Sequence, residues 1–173
     1  VHTSVLITNG CGYKKTEDDT HKKTSIHMVL GEKKLNKNPG FNLGGSFSIE
    51  PYDVDDTKIK NTSVISIFSG YSNSILRAGF DINEQQIDKV KNRIFSLYVT
   101  YNLSKNVSII SSGDQIDINN SRFEDDFTSL IFGLHHSIKK GFLIAPNFRI
   151  ITLKNGNTDK AFIMNFEFKF YWF

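Results

Sequence analysis

His135-His136-Ser137 is the one place in the sequence where the residue types of a serine nucleophile and its base stand together. A hydrolase built on them needs the base within hydrogen-bond reach of the hydroxyl, and a third group to orient that base. In an extended segment neighbouring residues point to opposite faces, so His135 and His136 cannot share a site without a bulge. Ser137 falls on the face of His135, but at the start of an expected turn, and no spacing supplies the orienting group. The plainer reading places His136 at a boundary near that turn. No catalytic residue is assigned.

Metal and cofactor chemistry fare no better. His2, His21 and His27 are scattered, and nothing makes them converge on an ion. The single cysteine, Cys11, excludes an intrachain disulfide and any cysteine-based zinc site. Gly44-Gly45 is too small a signal for a phosphate loop, so no cofactor is expected. Acidic groups at Glu17-Asp18-Asp19, Asp53 with Asp55-Asp56, and Glu124-Asp125-Asp126 suit hydrated loops better than cation sites. Lys14-Lys15, Lys22-Lys23 and Lys33-Lys34 read as ordinary loop charges. A net charge of +3 gives no argument for nucleic acid.

The elements that would position any site have period two. Apolar residues alternate with polar ones along about ten segments, and helix-period stretches are nearly absent. The segments lie near Val1–Thr8, Ser25–Leu30, Phe41–Ile49, Ser63–Tyr71, Leu76–Ile82, Phe95–Leu103, Val107–Asp114, Thr128–His136, Phe142–Ile150 and Phe162–Phe170. Glu84–Val90 is the one helical possibility, and it is short. The 173 residues make one domain, 1–173, and the fold class is all-β. With 13% aromatic residues, fifteen of them Phe, disorder is excluded. No run approaches the ~20 apolar residues of a spanning helix.

Links between segments alternate in length. Tyr71–Ser74, Leu103–Asn106 and Ser137–Gly141 are turn-like, and Gly31–Gly40 belongs with them by position. Longer charged links are expected at Asn9–Lys23, Glu50–Thr62, Asn83–Asn92, Gln115–Asp126 and Thr152–Lys160. A sandwich or lipocalin-like barrel in water has no reason to keep one rim longer, whereas a transmembrane β-barrel does. Its apolar face would meet lipid and its polar face would line the lumen. Four Phe among the five apolar positions of Phe162–Phe170 would be an aggregation hazard in water, but not against lipid. The expected architecture is an antiparallel transmembrane β-barrel of about ten up-and-down strands.

Ala161-Phe-Ile-Met-Asn-Phe-Glu-Phe-Lys-Phe170 resembles the terminal strand of bacterial outer-membrane proteins. Tyr101-Asn-Leu-Ser-Lys-Asn-Val-Ser-Ile-Ile-Ser-Ser-Gly-Asp-Gln115, Gly141-Phe-Leu-Ile-Ala-Pro-Asn-Phe-Arg149 and Ile7-Thr-Asn-Gly10 resemble strands of Gram-negative porins. The chain is similar to the C-terminal part of porins of the phosphate-selective O/P type. That resemblance implies passive or weakly selective transport of ions or small polar solutes across the outer membrane. It also implies an aromatic assembly signal, here Phe166, Phe168, Phe170 and Phe173, read by the barrel-assembly machinery. Contacts with membrane lipid and lipopolysaccharide, and a homo-oligomer such as a trimer, follow from the same likeness. Two sizes remain open: a narrow ten-strand barrel, or the C-terminal part of a larger one, since aqueous porin channels use ~16–18 strands. Val1 begins directly in strand-like sequence, which favours the larger barrel.

On the expected lumen face stand Arg77, Asp81, Asp114, Arg149, Glu167 and Lys169. Side chains of this kind set pore selectivity by their field. Their signs are mixed, so no strong anion or cation preference is expected. Two alternatives compete with open transport: cross-strand ion pairs that fill a narrow lumen, and a non-transporting barrel acting through its outside loops in adhesion or lipid contact.

Overall fold

The computed structural model describes residues 1–9, 21–55, 58–118, 126–139 and 141–168. Outside them lie Cys11, Lys14, Lys15, the acids at 17–19, Asp56, Glu124, Asp125, Lys169, Phe170 and Phe173. The described residues form ten strands: β1 (His2–Asn9), β2 (Lys22–Gly31), β3 (Gly40–Asp55), β4 (Lys58–Ser72), β5 (Leu76–Ile87), β6 (Val90–Asn102), β7 (Val107–Ile118), β8 (Phe127–Lys139), β9 (Phe142–Leu153) and β10 (Thr158–Phe168). They make one antiparallel sheet in which spatial order equals chain order. The all-β, up-and-down architecture is as the alternation requires. The ring is not closed: β1 and β10 are the two edges of the sheet.

Register carries the alternation across every strand pair. Ile26 of β2 faces Phe47 of β3, Phe47 faces Ile65 of β4, and Ile67 faces Ile82 of β5. Further on, Phe80 pairs with Leu97, Ser111 with Phe132, Phe132 with Phe148, and Phe148 with Phe162. Directly opposed residues share a face, so apart from Ser111 these side chains form one apolar surface. The other face is mainly Ser, Gly, Asn, Thr and charge, interrupted by Phe68, Ile94, Tyr98, Ile110, Ile131 and Ile151.

The sense of burial is the reverse of a water-soluble sheet. On the apolar face Phe41 is 60% exposed and Phe132 51%, whereas Ser129 on the polar face is 2% exposed. Among the described residues only Val29 and Leu35 are buried apolar side chains. From β2 to β9 the polar face is thus the more sheltered one, and no extended apolar core forms among the described residues.

Local fit on the polar face uses glycine. A Cβ on Gly44 would lie 2.4 Å from the Phe68 ring and 2.5 Å from the Met28 carbonyl oxygen. Gly79 makes the same room for Tyr98, whose Oη would lie 2.7 Å from a Cβ there. In both places a large ring lies across the backbone of the neighbouring strand, which only glycine permits.

The expected long links differ in kind. Glu50–Thr62 is mostly strand, because β3 and β4 run on to Asp55 and from Lys58. Asn83–Asn92, including the helical possibility at Glu84–Val90, is the continuation of β5 and β6 around Asp88-Lys89, with Asp88 at φ 54°. Thr152–Lys160 is likewise a short turn on extended strands. The physical reason is cross-strand charge pairing. Glu84 stands directly opposite Arg93, with Arg93 Nε 2.7 Å and Lys91 Nζ 3.1 Å from its carboxylate. Charged residues that look like loop in sequence therefore sustain the ladder beyond the apolar band.

Candidate functional site: the polar face and its turn-side cavity

Each expected lumen residue that the structure describes lies on the polar face. Asp81 of β5 is opposite Ser96 of β6, Ser96 is opposite Asp114 of β7, and Asp114 is opposite Ser129 of β8. Arg77 is four residues before Asp81 on the same strand, so it shares that face. Ser129 pairs with Ile151, and Arg149 lies two residues before Ile151. Arg149 in turn pairs with Ala161, six residues before Glu167 on β10.

The arrangement is dispersed rather than clustered. Asp81 and Asp114 flank Ser96 at two strand spacings, roughly 9.6 Å. Asp81 accepts a 2.5 Å hydrogen bond from Asn83 Nδ2. Arg149 is half-buried and its Nε has no hydrogen-bond partner among the described residues. No ion pair joins Arg77, Asp81, Asp114 and Arg149 to one another. Cross-strand pairing among these four therefore does not fill the space above the face. Apart from the Asn83 contact of Asp81, these four side chains have no fixed partner among the described residues, which suits transient contacts with water and small solutes.

The histidines separate as alternation requires. His135 pairs with Ser108 on the polar face, and His136 pairs with Val107 on the apolar face, where it is exposed. His27 stacks on Phe68, with ring centroids 5.5 Å apart, so its role is packing across Gly44. Among the described residues no group of three or more His, Cys, Asp or Glu could hold a metal ion.

One feature escaped the sequence reading. The link between β2 and β3 folds onto the polar face and buries Leu35, 8% exposed, against Gly70 of β4. It is held by its own polar groups. Glu32 Oε1 accepts from Lys34 N–H at 2.8 Å and from Asn38 Nδ2 at 3.1 Å, and Asn42 Nδ2 donates to the Glu32 carbonyl. These donors, the Lys34 N–H first, hold the Glu32 carboxyl below its ordinary value. Beneath the link lies a cavity of about 470 Å³ whose walls include Arg77 of β5, Thr100 of β6, Ile110 of β7 and His135 of β8. The available signal was Leu35 itself, a lone apolar residue in a lysine-rich link between Gly31 and Gly40.

The opposite, long-strand end carries charge. Lys60 Nζ donates to Asp88 at 2.6 Å, Lys154 Nζ to Asp126 at 2.6 Å, and His21 Nε2 lies 2.9 Å from Asp53. The Lys60 ammonium holds the Asp88 carboxyl down, and the Asp126 carboxylate holds the Lys154 ammonium up. Of the aromatic terminus, Phe166 and Phe168 stand exposed on β10, and Phe168 stacks on Phe142 with centroids 4.9 Å apart.

No protein-family model matches the chain, and no curated protein matches it.

Proposed function

We propose that the chain forms a porin-type channel of the bacterial outer membrane, for diffusive passage of ions or small polar solutes. The observation that carries this reading is the inverted sheet: an apolar face open over all ten strands and an opposite, more sheltered face rich in Ser, Gly, Asn and charge. In water such a face would be an aggregation surface; against lipid it is the favourable one. The apolar stretch Phe41–Ile49 extends roughly 27 Å along its strand, or about 21 Å along the normal at a ~40° tilt, against an apolar band of ≈25 Å. Lipid also requires that the free edges of β1 and β10 be paired. They pair with each other in a ten-strand ring, or with further strands of a larger barrel.

In this reading the exposed face contacts membrane lipid, the charged long-strand end lies at the lipopolysaccharide surface, and the aromatic β10 presents the signal for the barrel-assembly machinery. Trimeric association is the corresponding proposal for its quaternary state. A second reading, a non-transporting barrel acting through its outer hairpins, is favoured by the folded-in link at Leu35 and by the rings of Phe68 and Tyr98 on the polar face. Ten strands are nearer to the ≈8 whose interior side chains fill than to the ~16–18 of open channels.

Conductance across a planar lipid bilayer, after detergent refolding of the 173-residue chain, tests the proposal. Discrete stable steps support the channel. Silence despite demonstrated insertion means a filled narrow barrel or an incomplete one, and moves the reading to the structural role.

A further inference from the structure

We propose that the turn-side cavity is a binding site for a small organic carboxylate, its charge held at Arg77 and its apolar body against Leu35, Pro39 and Ile110. The site belongs to the polar face itself and does not depend on whether the chain conducts.

Charge gives the sign. The lining contains Lys37, Arg77 and His135, and no Asp or Glu. The acid of the same link, Glu32, lies outside the lining, and its Oε1 is already taken by Lys34 N–H and Asn38 Nδ2. Arg77 is half-buried and has no ion pair or hydrogen bond among the described residues. A guanidinium in that position lacks its usual forked partner, and a carboxylate supplies one with matching geometry.

Size and wall chemistry narrow the ligand further. At about 470 Å³ the cavity is in the range of small-molecule pockets, far beyond the ~30 Å³ that one water occupies. Leu35, 8% exposed, Pro39 and Ile110 give it an apolar side, which an inorganic anion would leave unused. The polar side is ordered: Ser108 Oγ donates to Asn102 Oδ1 at 2.8 Å, and Asn102 Nδ2 donates to the Ser74 carbonyl at 2.9 Å. A fixed polar wall, an unpartnered cation and an apolar wall together select an amphipathic anion.

The test titrates benzoate into the isotope-labelled full chain refolded in detergent, read by amide NMR. Benzamide, inorganic phosphate and buffer alone run in parallel. Saturable shifts confined to residues 35–39, 72–77, 100–110 and 135 are expected for benzoate. Benzamide and phosphate should each bind at least about tenfold more weakly, the former lacking the charge and the latter the apolar body. Arg77→Gln should weaken benzoate about tenfold, whereas Lys160→Gln, which removes a cation on β10, should leave it unchanged. Equal binding of benzamide, equal binding of phosphate, or shifts centred elsewhere overturns the proposal. Should Arg77→Gln fail to fold, Lys37→Gln in the exposed link takes its place, with a loss of about threefold expected; no loss there overturns it as well.

Discussion

Leu97 and Ser96 are neighbours on β6 that face opposite sides of the sheet, and replacing each with arginine separates lipid from water as the medium of the apolar face. Leu97 is 47% exposed and stands between Phe80 and Gly113. It is four residues from Arg93 and four from Tyr101, so it lies in the middle of the apolar band, roughly 14 Å along the strand from either limit. An arginine at the midplane of a membrane barrel costs about 2–4 kcal/mol. Bending the long side chain toward one boundary recovers part of that, which puts Leu97→Arg near 2 kcal/mol, or about a 30-fold loss in the folded-to-unfolded ratio. In water the same exposed position would tolerate arginine within about 0.5 kcal/mol. Ser96 is opposite both Asp81 and Asp114, so Ser96→Arg gains two acidic neighbours and should change stability by less than about 1 kcal/mol. Urea unfolding from phosphatidylcholine vesicles, followed by circular dichroism, measures both. If Leu97→Arg matches the parent while Ser96→Arg loses 2 kcal/mol or more, the apolar face does not meet lipid and the reasoning fails.

Gly44→Ala should lower stability by about 1–3 kcal/mol in the same unfolding assay, because its Cβ meets the Phe68 ring and the Met28 carbonyl oxygen; a neutral result would mean that the ring moves freely. The Glu32 carboxyl is held below its ordinary value of 4.5, so its hold on the link is complete above about pH 4.5 and is lost as pH falls through the lower folded value. Hydrogen exchange at residues 34–38 should rise on acidification in that window, and Glu32→Gln should abolish the pH dependence. Replacing both Arg77 and Arg149 with Glu should shift reversal potentials across a salt gradient toward cations; unchanged potentials would remove these two residues from the lumen.

The strands were legible because alternation is a direct consequence of the pleat. Phe95-Ser-Leu-Tyr-Val-Thr-Tyr101 admits one register on a two-faced sheet, and a slip by one residue would exchange its faces. The distribution of Arg77, Asp81, Asp114, Arg149 and Glu167 on a single face followed from the same parity. Strand ends were less legible. Glu84, Lys91 and Arg93 have loop-like composition, and only the register reveals that Glu84 opposes Arg93 across the turn. The cavity was the least legible, because it depends on where the link between β2 and β3 goes. Leu35 reaches Gly70, 35 residues away in sequence, through a gap that no periodicity encodes.

Because spatial order equals chain order in the sheet, every strand finds its partner in the next stretch of chain. Every strand pairing joins consecutive segments, so the ladder itself needs no distant segments to meet, which is the local topology that speeds folding. Growth can start at any hairpin and extend toward either edge, each new strand docking on a ladder already made. The same logic acts on a longer timescale. Removing or adding one hairpin shifts the edge of the sheet by two strands and leaves every other register intact. Strand number, and with it the width of any ring the sheet closes, is therefore open to change in steps of two without redesign of the remaining pairs.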